Sequence, residues 1–299
     1  SIDSYGCGDS FAAGVTAGGL IATNSVLADV SALVDNASLT ADGGLSVLAE
    51  NDSSITASNT ASFSGAGTSV GVTLAFNTLG WEAPNLATAS IDALLGTSLG
   101  DPQALSTTAS ITNTDFALGG DLALEAVQVA QVDASIVNEA SSSGSGAVSL
   151  VLASNMVDSR VDVSLDPGAD TTSTVGGDAS IKASDTSGIA ADITLSAGTA
   201  GGLAVGGLVV RNDVRSSVDT SLVNADLTVA GNASVLGRSG ATITATLSGD
   251  VSALAEEDES AASGESSLAV NALIATNLVL SDVDVSLTDS SIETGGDLE

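Results

Sequence analysis

Val161-Asp162-Val163-Ser164-Leu165, Val218-Asp219-Thr220-Ser221-Leu222 and Val283-Asp284-Val285-Ser286-Leu287 are three versions of one phrase, and each begins six residues after an asparagine that closes an apolar run. Working outward, the asparagines number five: Asn24, Asn77, Asn155, Asn212 and Asn277, spaced 53, 78, 57 and 65 residues apart. Val30 holds the valine position after Asn24. After Asn77 the best match is Ile91-Asp92-Ala93-Leu94-Leu95, displaced by an insertion at about 79–106 that contains Trp81 and Pro84. A glycine pair follows in four copies, Gly43-Gly44, Gly119-Gly120, Gly176-Gly177 and Gly295-Gly296, with Ala230-Gly231 in the other. A fixed internal order recurring along a chain is the mark of a repeat architecture with a unit of roughly 55 residues.

Within a unit, apolar residues alternate with Ser, Thr and Asp, as in Asp178-Ala179-Ser180-Ile181-Lys182-Ala183. Period two is that of a strand with one buried face. A unit of short strands cannot close a core alone, but stacked units bury each other's rows. These features predict an all-β fold, a parallel β-solenoid (β-helix) of about five imperfect repeats. The expected organisation is a lead-in at 1–10 followed by the solenoid over 11–299. Tandem β-sandwiches are the alternative, although they call for longer units with a large buried ring in each. Aromatic residues make up only 2% of the chain, too few for the girdles of a transmembrane barrel.

The 299 residues include 37 acidic and 5 basic side chains, a net charge of −32. Phosphate-backbone binding depends on Lys and Arg releasing counterions, so nucleic acid is excluded as a partner, and an anionic membrane surface is disfavoured. The longest weakly charged stretch, Phe11 to Ala28, is broken by Gly, Thr, Ser and Asn, so no membrane span is expected. No histidine is present, and one cysteine, Cys7, stands alone. Serine–histidine and cysteine–histidine catalysis is thereby ruled out, as is an internal disulfide.

The sequence of apolar run, Asn, Val-Asp-x-Ser-Leu, Gly-Gly and alternating run resembles the repeats of large bacterial surface proteins of the filamentous-adhesin type, the filamentous haemagglutinin-like and leukotoxin-like adhesins. The likeness covers about Phe11 to Glu299 and implies an exported, fibre-forming protein of the bacterial cell surface that works by adhesion or coating. A shorter stretch, Asp3-Ser4-Tyr5-Gly6-Cys7-Gly8-Asp9-Ser10-Phe11-Ala12-Ala13-Gly14, resembles the signature of ribokinase-like sugar kinases, where the residue matching Asp9 would be the base. Nothing else in the chain supplies the α/β units or nucleotide site of that family, and the match is read as coincidental.

Three sets of residues are candidate sites. Asp162, Asp219 and Asp284 occupy equivalent places beside a buried valine, so they should line up on one outer face, where carboxylates suit Ca²⁺; the competing reading is a solvated acidic face. Asn24, Asn77, Asn155, Asn212 and Asn277 should stack as an amide ladder inside a turn, with surface-glycan binding as the other role open to them. Val283, Val285 and Leu287 still follow the repeat phrase near the C-terminal end and are expected to be buried at a junction with another copy or repeat, giving self-association into a filament or longer repeat chain. The acidic run Glu256-Glu257-Asp258-Glu259 reads as a solvated loop. The function these features suggest is a non-enzymatic, secreted structural protein of an extracellular filament, adhesin or coat. A carbohydrate-active β-helix enzyme or carbohydrate-binding module is the alternative, because paired carboxylates suffice for glycoside chemistry.

Overall fold

A computed structural model describes the backbone of residues 2–12 and both backbone and side chains of 14–81, 103–169, 171–254 and 267–299. Every regular element among them is a strand, and every strand pairing is parallel. The all-β solenoid expected from the alternation is therefore what these residues form.

The chain winds through three sheets in constant order. The first sheet receives β2 (Val15–Val26) with β3 (Asp29–Asp35), then β6 (Thr68–Leu79) with β7 (Leu105–Thr112), β10 (Gly146–Asp166), β13 (Leu203–Val223) and β17 (Leu268–Thr288). A narrow sheet receives β4 (Ser38–Ala41), β8 (Asp115–Leu118), β11 (Thr172–Val175), β14 (Asp226–Val229) and β18 (Ser291–Thr294). The opposite wide sheet receives β1 (Ile2–Ala12), β5 (Leu45–Gly65), β9 (Leu122–Ser142), β12 (Ala179–Thr199) and β15 (Ala233–Ser239) with β16 (Thr242–Ala253). Strands of 21 residues such as β5, β10 and β17 extend about 70 Å, while each pass climbs only about 4.8 Å. The residues expected to form a lead-in thus belong to the wall, since β1 pairs with β5 from Ile2↔Ile55 to Ala12↔Gly65.

Three kinds of corner turn the chain, and the one that leads from the opposite wide sheet back to the first runs through Ala66-Gly67, 143–145 and 200–202. Asn36, Asn113, Asn224 and Asp289 end wide strands with φ of 44–52°, a left-handed conformation that Asn and Asp tolerate better than other residues with a side chain. After β10, Asp166-Pro167-Gly168 replaces that corner. The glycine pairs form the second corner, and here the reason is close approach: a Cβ on Gly119 would lie 2.5 Å from the carbonyl oxygen of Asp42 in the pass before it.

Inward residues of the two wide sheets face one another and fill three apolar compartments along the strands. The one beside the narrow sheet contains Leu122, Leu124, Phe116, Val161, Leu165 and Ile181. The middle one contains Ile55, Val132, Val157, Ile189 and Val214, and the far one Ile136, Val151, Ile193 and Leu208. Aliphatic side chains suit this slot because a parallel sheet repeats each inward position directly above the last, and identical branched chains stack without voids.

Register corrects one reading of the repeat. Val161 to Leu165 pair with Thr107 to Ile111, so Thr107-Thr108-Ala109-Ser110-Ile111 is the second copy of the phrase. Ile91–Leu95 and most of the insertion lie outside the described residues, as does Glu256–Glu259.

Candidate functional site

The five asparagines come together in one row in the sheet of β10. Nδ2 of Asn24 donates to Oδ1 of Asn77 at 2.8 Å, Asn77 to Asn155 at 2.8 Å, Asn155 to Asn212 at 2.9 Å, and Asn212 to Asn277 at 2.8 Å. The row runs mid-strand, between the middle and far apolar compartments, and not inside a turn. An amide in that place has no water to bond, so each side chain takes its partner from the pass above and the pass below. The inner three are wholly buried and offer no amide to a glycan, whereas Asn24 is half-buried and Asn277 exposed.

A second polar row divides the core at the other boundary of the middle compartment. Asn51, Gln128, Asp185 and Ser239 are aligned in the opposite wide sheet. Thr107 Oγ1 donates to Gln128 Oε1 at 2.5 Å, which explains why threonine stands where the other copies have valine. Asp185 accepts from Ser159 at 2.8 Å, from Ser187 and from Ser216. Burial still outweighs these bonds and raises the Asp185 pKa. A signal for this row existed, since serine recurs four residues after three anchors, at Ser159, Ser216 and Ser281. Its partners differ in type from copy to copy and so do not register as a repeat.

Asp162, Asp219 and Asp284 do align on the outer face, in the register Asp162↔Asp219↔Asp284. Arg160 Nε bonds Asp162 at 2.7 Å. Asp219, partly desolvated and flanked by Asp162 and Asp284, has its pKa raised. Among the described residues no group of three or more His, Cys, Asp or Glu side chains converges as a metal site.

A further ionic cluster lies on the same face. Asp213, fully buried, binds Arg211 Nη2 at 2.8 Å and Arg215 Nη2 at 3.0 Å. The Arg215 guanidinium sits 4.9 Å from the centroid of the Trp81 ring. Nearby Asp158 is pushed up to about 6 by burial, against the pull of Arg215. Neither Arg211 nor Asp213 repeats along the chain, so only the fold reveals the group.

Asp9 belongs to β1, a strand paired in parallel with β5. The kinase signature depends on a helix N-terminus to hold an anion, and that element is not formed here.

Val283, Val285 and Leu287 point to the same side of β17 as the core residues of the strand below, yet they are 43%, 41% and 52% exposed. The opposite wide sheet meets the inward face of β17 from one side, through β15 and β16: Gly237 lies against Val283 and Val285, Ser281 Oγ donates to Ser239 Oγ at 2.7 Å, and Asn271 Nδ2 donates to the Gly249 carbonyl at 3.0 Å. Among the described residues, the pass after β18 is represented in that sheet by Leu298, bridged to Ala233. These three residues are therefore brought together as an open core edge. On the other flank, a groove crosses the outer face of the sheet of β5, lined by Thr56, Ser58, Asp133, Ser135, Asp192 and Thr246.

Comparison with protein-family models, with curated proteins and with solved structures finds no match for this chain.

Proposed function

We infer that the chain is a non-enzymatic structural segment of a bacterial extracellular filament, adhesin or surface coat. In this reading it is a β-helix of about five imperfect repeats of roughly 55 residues, of the filamentous-adhesin kind, whose passes continue into another copy or a longer repeat chain. The observation that carries it is the match between the two outer rows of the first sheet. Strand β17 spans 268–288 and β2 with β3 spans 15–35, the same length with the same order of anchors. Laid in register, Asn277 meets Asn24, Val283 meets Val30 and Leu287 meets Val34. The amide ladder and the apolar compartment beside the narrow sheet then continue across the joint. A head-to-tail contact of this kind does not close on itself and grows a fibre. The net charge of −32 keeps such a fibre soluble and apart from anionic surfaces.

Electron micrographs and sedimentation of the purified chain test this reading. Rods of variable length are expected, and Val285→Lys should shorten them while the circular dichroism of strands persists. A stable monomer at high protein concentration would overturn it.

A carbohydrate-active enzyme or carbohydrate-binding module is the second reading, favoured by Asp133 and Asp192 in the groove on the β5 sheet. That groove has no aromatic ring among its described lining residues to stack on a sugar. Release of reducing ends from a polysaccharide panel, lost in Asp133→Asn, would establish it.

A further inference from the structure

The outer face of the sheet of β10 is divided along its strands. From the middle of the strands onward it carries Asp158, Arg160, Asp162, Arg211, Asp213, Arg215 and Asp219, whereas the first four outward positions of each strand carry no charge. There the outward residues form four columns: Ile21–Leu74–Leu152–Val209–Ile274, Gly19–Val72–Leu150–Gly207–Ala272, Ala17–Val70–Val148–Val205–Val270 and Val15–Thr68–Gly146–Leu203–Leu268. Within this grid Thr68 is the sole side chain with a polar atom. Several of the residues stand well out of the surface, with Val15 70%, Leu268 58%, Ile21 and Ile274 55% and Leu150 41% exposed. These side chains have the aliphatic character of the core, yet they face away from it.

We propose that this apolar half-face is a lateral interface on which a second copy of the chain packs sheet to sheet, pairing two solenoids side by side. Three features select a second copy. First, four columns about 6.6 Å apart and five rows about 4.8 Å apart cover roughly 600 Å². Pairing two such faces buries about 1,200 Å² in total, the lower bound for a specific protein interface, and a single face is at the upper end of the apolar patch a monomer ordinarily exposes. Second, side-chain rows at the strand spacing form ridges and grooves that only a surface of the same pitch can interdigitate with, and another copy has that pitch. Third, a chain of charge −32 repels its copies laterally wherever carboxylates stand out, so among the described residues the uncharged grid is a wide outer surface on which two can meet. A lipid surface is the competing occupant. It fits less well because the one aromatic ring at the rim among the described residues, Phe76, is buried against Leu74 and Leu152 and not free to anchor in a headgroup layer, and the rest of the face is acidic.

This pairing is sideways and does not depend on end-to-end growth, so the test is run in the Val285→Lys background, which blocks the axial joint. Sedimentation equilibrium should then give about 57 kDa, twice 28.7 kDa. Adding Leu150→Glu and Ile274→Glu should return it to the monomer mass with strand circular dichroism retained. Leu150 occupies the middle row, so any twofold axis through the centre of the patch brings it next to its own copy. Cys7→Ser with Leu150→Cys should therefore cross-link on oxidation, and Cys7→Ser with Ser135→Cys, on the opposite outer face, should not. A monomer at high concentration in the Val285→Lys background overturns the pairing, as does equal cross-linking at both positions. Co-sedimentation of that background with phosphatidylcholine vesicles, without dimers in their absence, overturns it in favour of lipid. Filaments of the unmodified chain only one solenoid wide would leave the axial reading standing and remove this one.

Discussion

Asn155 gives its amide hydrogen to Oδ1 of Asn212 across 2.9 Å, with both side chains wholly buried. The same carboxamide receives a hydrogen from Asn77 at 2.8 Å, so one side chain satisfies a donor below and an acceptor above. Replacing Asn155 with Ala leaves two buried polar groups without partners, each costing about 1–3 kcal/mol. The expected outcome is a loss of about 2–6 kcal/mol in urea unfolding. A loss below about 1 kcal/mol would show that water enters and takes the place of the amide.

Stability should fall as pH rises through the weakly acidic range. Asp158 is pushed up to about 6 and Asp185 is also raised, both chiefly by burial. A carboxyl whose folded pKa exceeds its unfolded value of 3.8 favours the native state while protonated. Its contribution is complete below about pH 4 and is lost as pH climbs through the folded value, near 6 for Asp158. The urea midpoint should accordingly be higher at pH 4.5 than at pH 7.5. Asp185→Asn should raise the midpoint at pH 7.5 and lose that advantage at pH 4. A midpoint that rises steadily from pH 4 to 8 would contradict this.

Asp213 is the shared partner of Arg211 and Arg215 and lies out of solvent, and Arg215 links it to the Trp81 ring. Asp213→Ala removes the carboxylate and leaves the guanidinium charges in place, a change that ordinarily costs about 3 kcal/mol or more. Trp81 is the single tryptophan of the chain, and it is buried, so its emission reports the transition directly. The variant should unfold at markedly lower urea with the emission red-shifted; an unchanged midpoint would refute the assignment.

The column Asp162, Asp219 and Asp284 sets like charges one strand spacing apart, and their mutual repulsion helps raise the pKa of Asp219. Screening should relieve it. Asp219→Asn is expected to raise the melting temperature at 10 mM NaCl, and the gain should vanish at 1 M. Calcium chloride at matched ionic strength should then add nothing beyond NaCl. A larger shift with calcium that chelator reverses would instead mean that the column ligates the ion.

Much of the wall could be read from the chain. Alternation marked the strands because period two is local to one pass, and the asparagines and glycine pairs marked the repeat because stacking asks for the same residue at the same place in each pass. The second copy of the phrase was misplaced for a reason also visible in the structure. Thr107 sits opposite Gln128 and bonds to it, so it takes a polar residue where its equivalents are valine. Asp185 carries no repeat signal for a related reason, as its row-mates Asn51, Gln128 and Ser239 share only polarity.

By itself the sequence determined the all-strand character, the repeat, the acidic surface and the absence of histidine chemistry, since these follow from residue type and period. Tertiary structure alone decided which side each residue faces and what stands beside it. Asn155 lies mid-strand in the core, Asp213 lies between two arginines, and Leu150 is one of an outward aliphatic grid that looks in sequence like any other buried strand. The physical reason is that a period of two says that alternate residues share a face, while only the winding of one sheet over another settles which face is covered.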